Sequence, residues 1–189
     1  MLGTYVGSLL AAGNGATQGA AFASFTTAAS VLQPMQLVTL ASNYLYAGKK
    51  LRITAHAAVG NVVTAQPTFT FQVMMGSIVV WSSGAITCTT TVAAALPSAL
   101  EILLKVVTVG KTTSATFWGI GKLSGIMFGV GAVAQGTYGT CIMVPVATPA
   151  AGTGFDSTIA NILDFWVGCS ASNASNTYQL LNYDVEDLN

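Results

Sequence analysis

The stretch Tyr44–Gly76, YLYAGKKLRITAHAAVGNVVTAQPTFTFQVMMG, carries the clearest alternation in the chain and its only cluster of basic residues. Within it Leu51, Ile53, Ala55 and Ala57 fall on one side of an extended chain and Arg52, Thr54, His56 and Ala58 on the other. That is the period-two pattern of a strand with one buried face. Phe69, Phe71, Val73 and Met75 repeat it. Between the two runs, Gly60-Asn61 can turn the chain, and Pro67, which has no amide hydrogen, delays the next pairing. The stretch reads as two antiparallel strands of a hairpin. A hairpin this apolar cannot stand alone, so a second sheet is predicted to lie against it.

Working outward, Leu37–Leu40 reads as a strand before the hairpin and Ile78–Ser82 as one after it, ended by the turn pair Ser83-Gly84. In ALEILLKVVTVG, Leu100, Ile102, Leu104 and Val106 share a face opposite Glu101, Leu103, Lys105 and Val107. The β-branched residues and the alternating charges favour a strand over a helix there. Further strands are predicted at Phe117–Lys122, Gly139–Ala147, Ile159–Cys169 and Tyr178–Glu186, with a Gly-rich loop, GIMFGVGAVAQGTYG, before Gly139–Ala147. About eight strands without intervening helices predict an all-β antiparallel sandwich, with Leu51, Ile53, Phe69, Phe71, Val73, Leu100, Ile102, Leu104, Phe165 and Val167 in its core.

Composition narrows what such a sandwich is for. Only 6% of the 189 residues are charged, against about 25% in an ordinary soluble domain. The formal net charge is zero, a state that favours association. No run of eighteen apolar residues lacks polar interruption, which argues against a spanning helix. No Lys or Arg precedes Lys49, so a charged signal-peptide start is not expected, nor an exported outer-membrane barrel. Residues 1–30 are rich in Ala, Gly, Ser and Thr and have no sustained period. They read as an arm that needs another surface to hold it. The predicted division is an arm over 1–34 and a sandwich over 35–189.

The series YAGKKLRITAHAAV, PTFTFQVMMG, ALEILLKVVTVG, GTGFDSTIANILDFWV and YQLLNYDVEDLN resembles a family of structural proteins of tailed bacteriophages, over roughly residues 30–189. The resemblance implies a jelly-roll of the virion-surface type that capsid decoration, head-fibre and tail proteins use. It implies no catalytic residue and no cofactor. It also implies a virion location, assembly in the host bacterial cytoplasm, and contacts with copies of itself, a trimer in the first instance, and with the major capsid or other virion proteins.

Read for chemistry, the residues give little. His56, the only histidine, lies on a polar strand face, and no G-x-S-x-G supplies a nucleophile. Cys88, Cys141 and Cys169 are odd in number and lack C-x-x-C spacing, so neither a zinc site nor a disulfide framework is expected. Asp156 and Asp164 are the candidate pair for a glycosidase, although GFDST reads more simply as a turn in which Asp156 accepts backbone amides. The glycines at 119, 121, 125, 129, 131, 136 and 139 make neither GxGxxG nor a Walker loop, and are assigned to bends and tight loops. No enzyme, metal or cofactor is expected.

The charges are segregated. All six basic residues lie between Lys49 and Lys122, and five of the six acidic ones from Asp156 onward. The tail residues Asp184, Glu186 and Asp187 could therefore meet Lys49, Lys50 and Arg52 of a neighbouring copy. A basic stripe suited to nucleic acid is missing. Structural virion protein is the leading function class. A tail or fibre module holding a host glycan, with Trp81, Trp118 and Trp166 as stacking faces, is the alternative, and a glycosidase comes third.

Overall fold

A computed structural model describes residues 8–12, 22–61, 67–88, 93–125, 128–129 and 140–188. In chain order its strands are β1 (Ser8–Ala12), β2 (Phe22–Ala23), β3 (Ala29–Ser30), β4 (Val38–Leu40), β5 (Lys50–Asn61), β6 (Thr68–Met75), β7 (Ile78–Cys88), β8 (Ala93–Thr108), β9 (Thr116–Gly125), β10 (Phe128–Gly129), β11 (Thr140–Val144), β12 (Asn161–Cys169) and β13 (Thr177–Asp187). Among the described residues they form two antiparallel sheets. The first has seven strands, ordered β1-β13-β5-β8-β9-β11 with β2 also on β13; the second has six, ordered β10-β7-β6-β12-β3 with β4 also on β12. The chain is an all-β sandwich.

Each of the predicted core residues is buried. The two sheets meet through aromatic rings: Phe71 of the second sheet lies 5.7 Å from Tyr178 of the first, and Phe165 lies 6.0 Å from Tyr183. Phe128 packs edge-on against Phe69 and Phe71 at 6.1 and 5.9 Å. Rings at these separations add to what their area burial contributes.

The predicted hairpin is corrected. β5 pairs with β13 and β8, whereas β6 pairs with β7 and β12. The two alternating strands therefore face each other across the core rather than bonding side by side. Alternation reports which face of a strand is buried, and two strands in opposite sheets bury their faces toward the same core. β13 returns beside β5 in the first sheet and β12 beside β6 in the second. The in-sheet hairpins β6–β7 and β8–β9 give the sandwich an order of its own.

Two smaller expectations also change. Ser83-Gly84 is a bulge within β7 and not its end: the register with β6 slips between Thr70 and Gln72, Gly84 takes φ 71°, and the Phe71 amide donates to Ser83 Oγ at 2.9 Å. A glycine with positive φ at a bulge bends the strand without steric cost. Gly119 and Gly121 lie within β9, as the strand predicted at Phe117–Lys122 requires, and Gly125 ends it, so none of the three makes the bend or tight loop assigned to them. A Cβ on Gly119 would come within 2.4 Å of Trp81 and 2.7 Å of Leu104, so this glycine makes room for an indole that crosses the strand. Gly131, Gly136, Gly139 and most of the predicted Gly-rich loop fall outside the described residues.

The described residues of the predicted arm pair with the chain's own edges. β1 and β2 lie along β13, and β3 lies along β12. Phe25 and Leu32 are buried, and Phe25 sits 6.1 Å from Phe69, so the sandwich's core reaches N-terminal of residue 35. An edge strand offers unpaired amides and carbonyls. A segment with no hydrophobic period can satisfy them, because ladder bonds use backbone alone.

Candidate functional site

The charged residues singled out from the sequence come together at one end of the first sheet, within a single chain. The antiparallel register sets Asp187 opposite Leu51 and Glu186 opposite Arg52. Lys49 shares the parity of Leu51 and Ile53, and so points inward. Its Nζ lies 2.5 Å from Asp187 Oδ2, with both side chains almost wholly buried. The Tyr44 hydroxyl donates to the same oxygen. The ammonium also lies 4.3 Å from the Tyr44 ring centroid and 5.0 Å from that of Tyr46. Burial first, and then the Asp187 carboxylate, hold the Tyr44 phenol above its ordinary value. A charge pair out of water holds only when its remaining valences are met, and here one oxygen accepts from both an ammonium and a phenol.

On the outside of the sheet, Arg52 reaches Glu186 at 3.1 Å and Glu101 at 3.7 Å. Asp184 is partnered with Thr54 and accepts from Asn182 Nδ2 at 2.7 Å. Lys50 stands opposite Lys105. The acidic tail thus meets the basic turn of its own chain. Lys49 and Asp187 are committed to the fold.

The two outer faces differ sharply in charge. That of the first sheet carries Lys50, Arg52, Glu101, Lys105, Lys122, Asp184 and Glu186, together with His56, which is exposed between Asn182 and Ala99. That of the second carries Thr70, Gln72, Ser82, Ile162 and Trp166, with Asp164 as its charged group among the described residues of β6, β7 and β12. Asp164 is engaged on both oxygens: Oδ1 accepts from the Ser30 hydroxyl and the Phe165 amide, and Oδ2 from Trp166 Nε1, each at 2.7 Å.

The catalytic candidates are placed as follows. Asp156 accepts from the Thr158 amide at 2.8 Å and the Thr158 hydroxyl at 2.6 Å, the predicted turn. Those bonds hold its carboxyl below the usual range. Asp164 belongs to the face just described. Cys88 and Cys169 are buried and Cys141 is exposed. Burial pushes the Cys88 thiol up to about 12. Among the described residues no group of three His, Cys, Asp or Glu could hold a metal ion.

The tryptophans form no common platform. Trp81 is in the core, Trp166 lies on the outside of the second sheet, and Trp118, 36% exposed, lies on the outside of the first. Sequence reasoning missed a depression of about 510 Å³ that Trp118 lines with Gly48, Lys105, Val106 and Val107. The signal was present: Lys105 and Trp118 share the outward parity of their strands and pair in the β8–β9 register.

No protein-family model and no curated protein matches the chain. A solved structure, that of the CBM2 module of the evolved Dit of Lactobacillus casei BL23 phage J-1, is similar at a TM-score of 0.35 and 11% identity, over 81% of this chain and 69% of that one. The fold assignment rests on the strand pairing above and not on this likeness.

Proposed function

We propose that the protein is a structural component of a tailed-bacteriophage particle, of the capsid decoration or cement type, which binds the assembled shell and adds contacts across subunit boundaries. The observation that carries this reading is the charge-poor outer face of the second sheet. Its carboxylate, Asp164, is already engaged by Ser30 and Trp166, and Ile162 beside it is 45% exposed. A face with so little charge favours association over life in water. The resemblance of the segment series to phage structural proteins supplies the setting, a virion assembled in a host bacterial cytoplasm, with copies of the chain and the major capsid protein as partners. Quantitative mass spectrometry of purified virions tests it. Hundreds of copies per particle are expected for a shell protein, and a handful would place the chain in the tail.

A second reading, a tail or fibre module holding a host glycan, is favoured by one specific observation. Trp118 offers an exposed aromatic face beside an open depression.

A further inference from the structure

Lys50, Lys105 and Trp118 stand in one row on the outside of the first sheet. Lys50 of β5 is the register partner of Lys105 of β8, and Lys105 is the partner of Trp118 of β9. Neighbouring strands lie about 4.8 Å apart, so the row spans roughly 10 Å. Like charges set directly opposite on a sheet disfavour the pairing. Among the described residues neither lysine has an ion-pair partner, while Arg52, two residues along β5 from Lys50, has two carboxylates within 4 Å. The fold pairs the guanidinium with carboxylates and leaves the two register-paired lysines without one. The depression lined by Trp118 and Lys105 measures about 510 Å³, within the roughly 300–1,000 Å³ of small-ligand sites.

We propose that this row binds an anionic carbohydrate, with a sugar ring stacked on Trp118 and a carboxylate or phosphate group lying between Lys50 and Lys105. The inference rests on the second reading, a glycan-binding module, and names the class of glycan. An indole supplies a flat apolar face, and a lysine is a mobile point charge that accepts either anion without demanding planar geometry. An acidic peptide fits less well, because extended peptides dock by adding to a sheet edge. β5, β8 and β9 each have strands on both sides. Nucleic acid fits less well again, since Glu101, Asp184 and Glu186 share the face.

The test is isothermal titration of the full chain with trigalacturonate, sialyllactose and galactose 6-phosphate, each beside its neutral counterpart: the methyl ester of trigalacturonate, lactose and galactose. At least one anionic probe is expected to bind about tenfold more tightly than its counterpart, and Trp118→Ala, Lys50→Gln and Lys105→Gln should each weaken it by about tenfold. Lys122→Gln, on the same face but outside the row, should leave binding unchanged. The carboxylate and phosphate arms identify which anion is read. If charged and neutral sugars bind alike and the lysine variants behave as wild type, the anionic class is wrong and the glycan reading stands. If no sugar of either kind binds, both fall. Inorganic phosphate binding as tightly as the sugars, with Trp118→Ala without effect, would also overturn the proposal by removing the ring from recognition.

Discussion

The two sheets share one core and present opposite exteriors. Seven charged side chains lie on the outside of the first, whereas the outside of the second has Asp164 among the described residues of its three long strands. The inward residues of both follow the same rule, apolar at every second position, because both must fill the same space. The outward residues obey no such rule, and so record what each face meets. A charge-bearing exterior is compatible with water. A charge-poor one is a cost in solubility that association relieves. The lesson of the comparison is that packing fixes the inside of this molecule, and that its outside separates into a charge-bearing face and a charge-poor one, the second being the face proposed to dock.

The largest effects should come from what the sheets share. Phe71→Ala removes a ring that touches Phe128, Phe165 and Tyr178, and should cost about 3–5 kcal/mol in urea unfolding. Next is the buried pair at the end of the first sheet. Lys49→Ala leaves the Asp187 carboxylate buried without its ammonium, a loss of roughly 3–5 kcal/mol. Arg52→Ala breaks contacts of the same formal kind at a side chain 42% exposed, and should cost only about 0–1 kcal/mol. Equal losses at Lys49 and Arg52 would erase the distinction between the interior and exterior charges of this sheet.

Much of the interior was legible in the sequence, since Leu51, Ile53, Phe69, Phe71, Ile102 and Phe165 all sit where alternation put them. Partner choice was not. Residues 51–58 and 69–75 read as a hairpin because periodicity fixes the face of a strand and says nothing of which sheet it joins. Lys49 shows the reverse failure. Its parity with Leu51 pointed inward, but its charge suggested water, and only the return of Asp187 along β13 makes an inward ammonium tolerable. Gly119 fell in a predicted strand, but the reason for a glycine there was hidden, because the indole that needs its space comes from Trp81, far away in sequence. The row Lys50–Lys105–Trp118 draws on three strands in two separate stretches of chain, and no local pattern could assemble it.

Smaller effects sharpen the contrast of the faces. Gln72→Lys, which puts a charge on the outside of the second sheet, should change unfolding stability by no more than about 0.5 kcal/mol and yet weaken attachment to the particle in a sedimentation assay. Thr54→Lys on the first sheet should leave attachment intact. The thiols give the smallest signal. Native protein should be alkylated by iodoacetamide at Cys141 alone, with Cys88 and Cys169 reacting only after unfolding. The Cys88 value of about 12 is raised from an ordinary 9.0, so the stability linked to its neutral form is whole below pH 9 and is lost as pH rises through 12. Rapid labelling of Cys88 at neutral pH would contradict the packing of the second sheet.

Hydroxyl-radical footprinting of the protein, free and on the particle, tests the proposed docking face most directly. The account predicts that Trp166 and Ile162 become protected on attachment while Trp118 and Met143 are oxidised as readily as in the free chain. Protection of Trp118 and Met143 with Trp166 and Ile162 unchanged would contradict it, and would place the contact on the charged sheet.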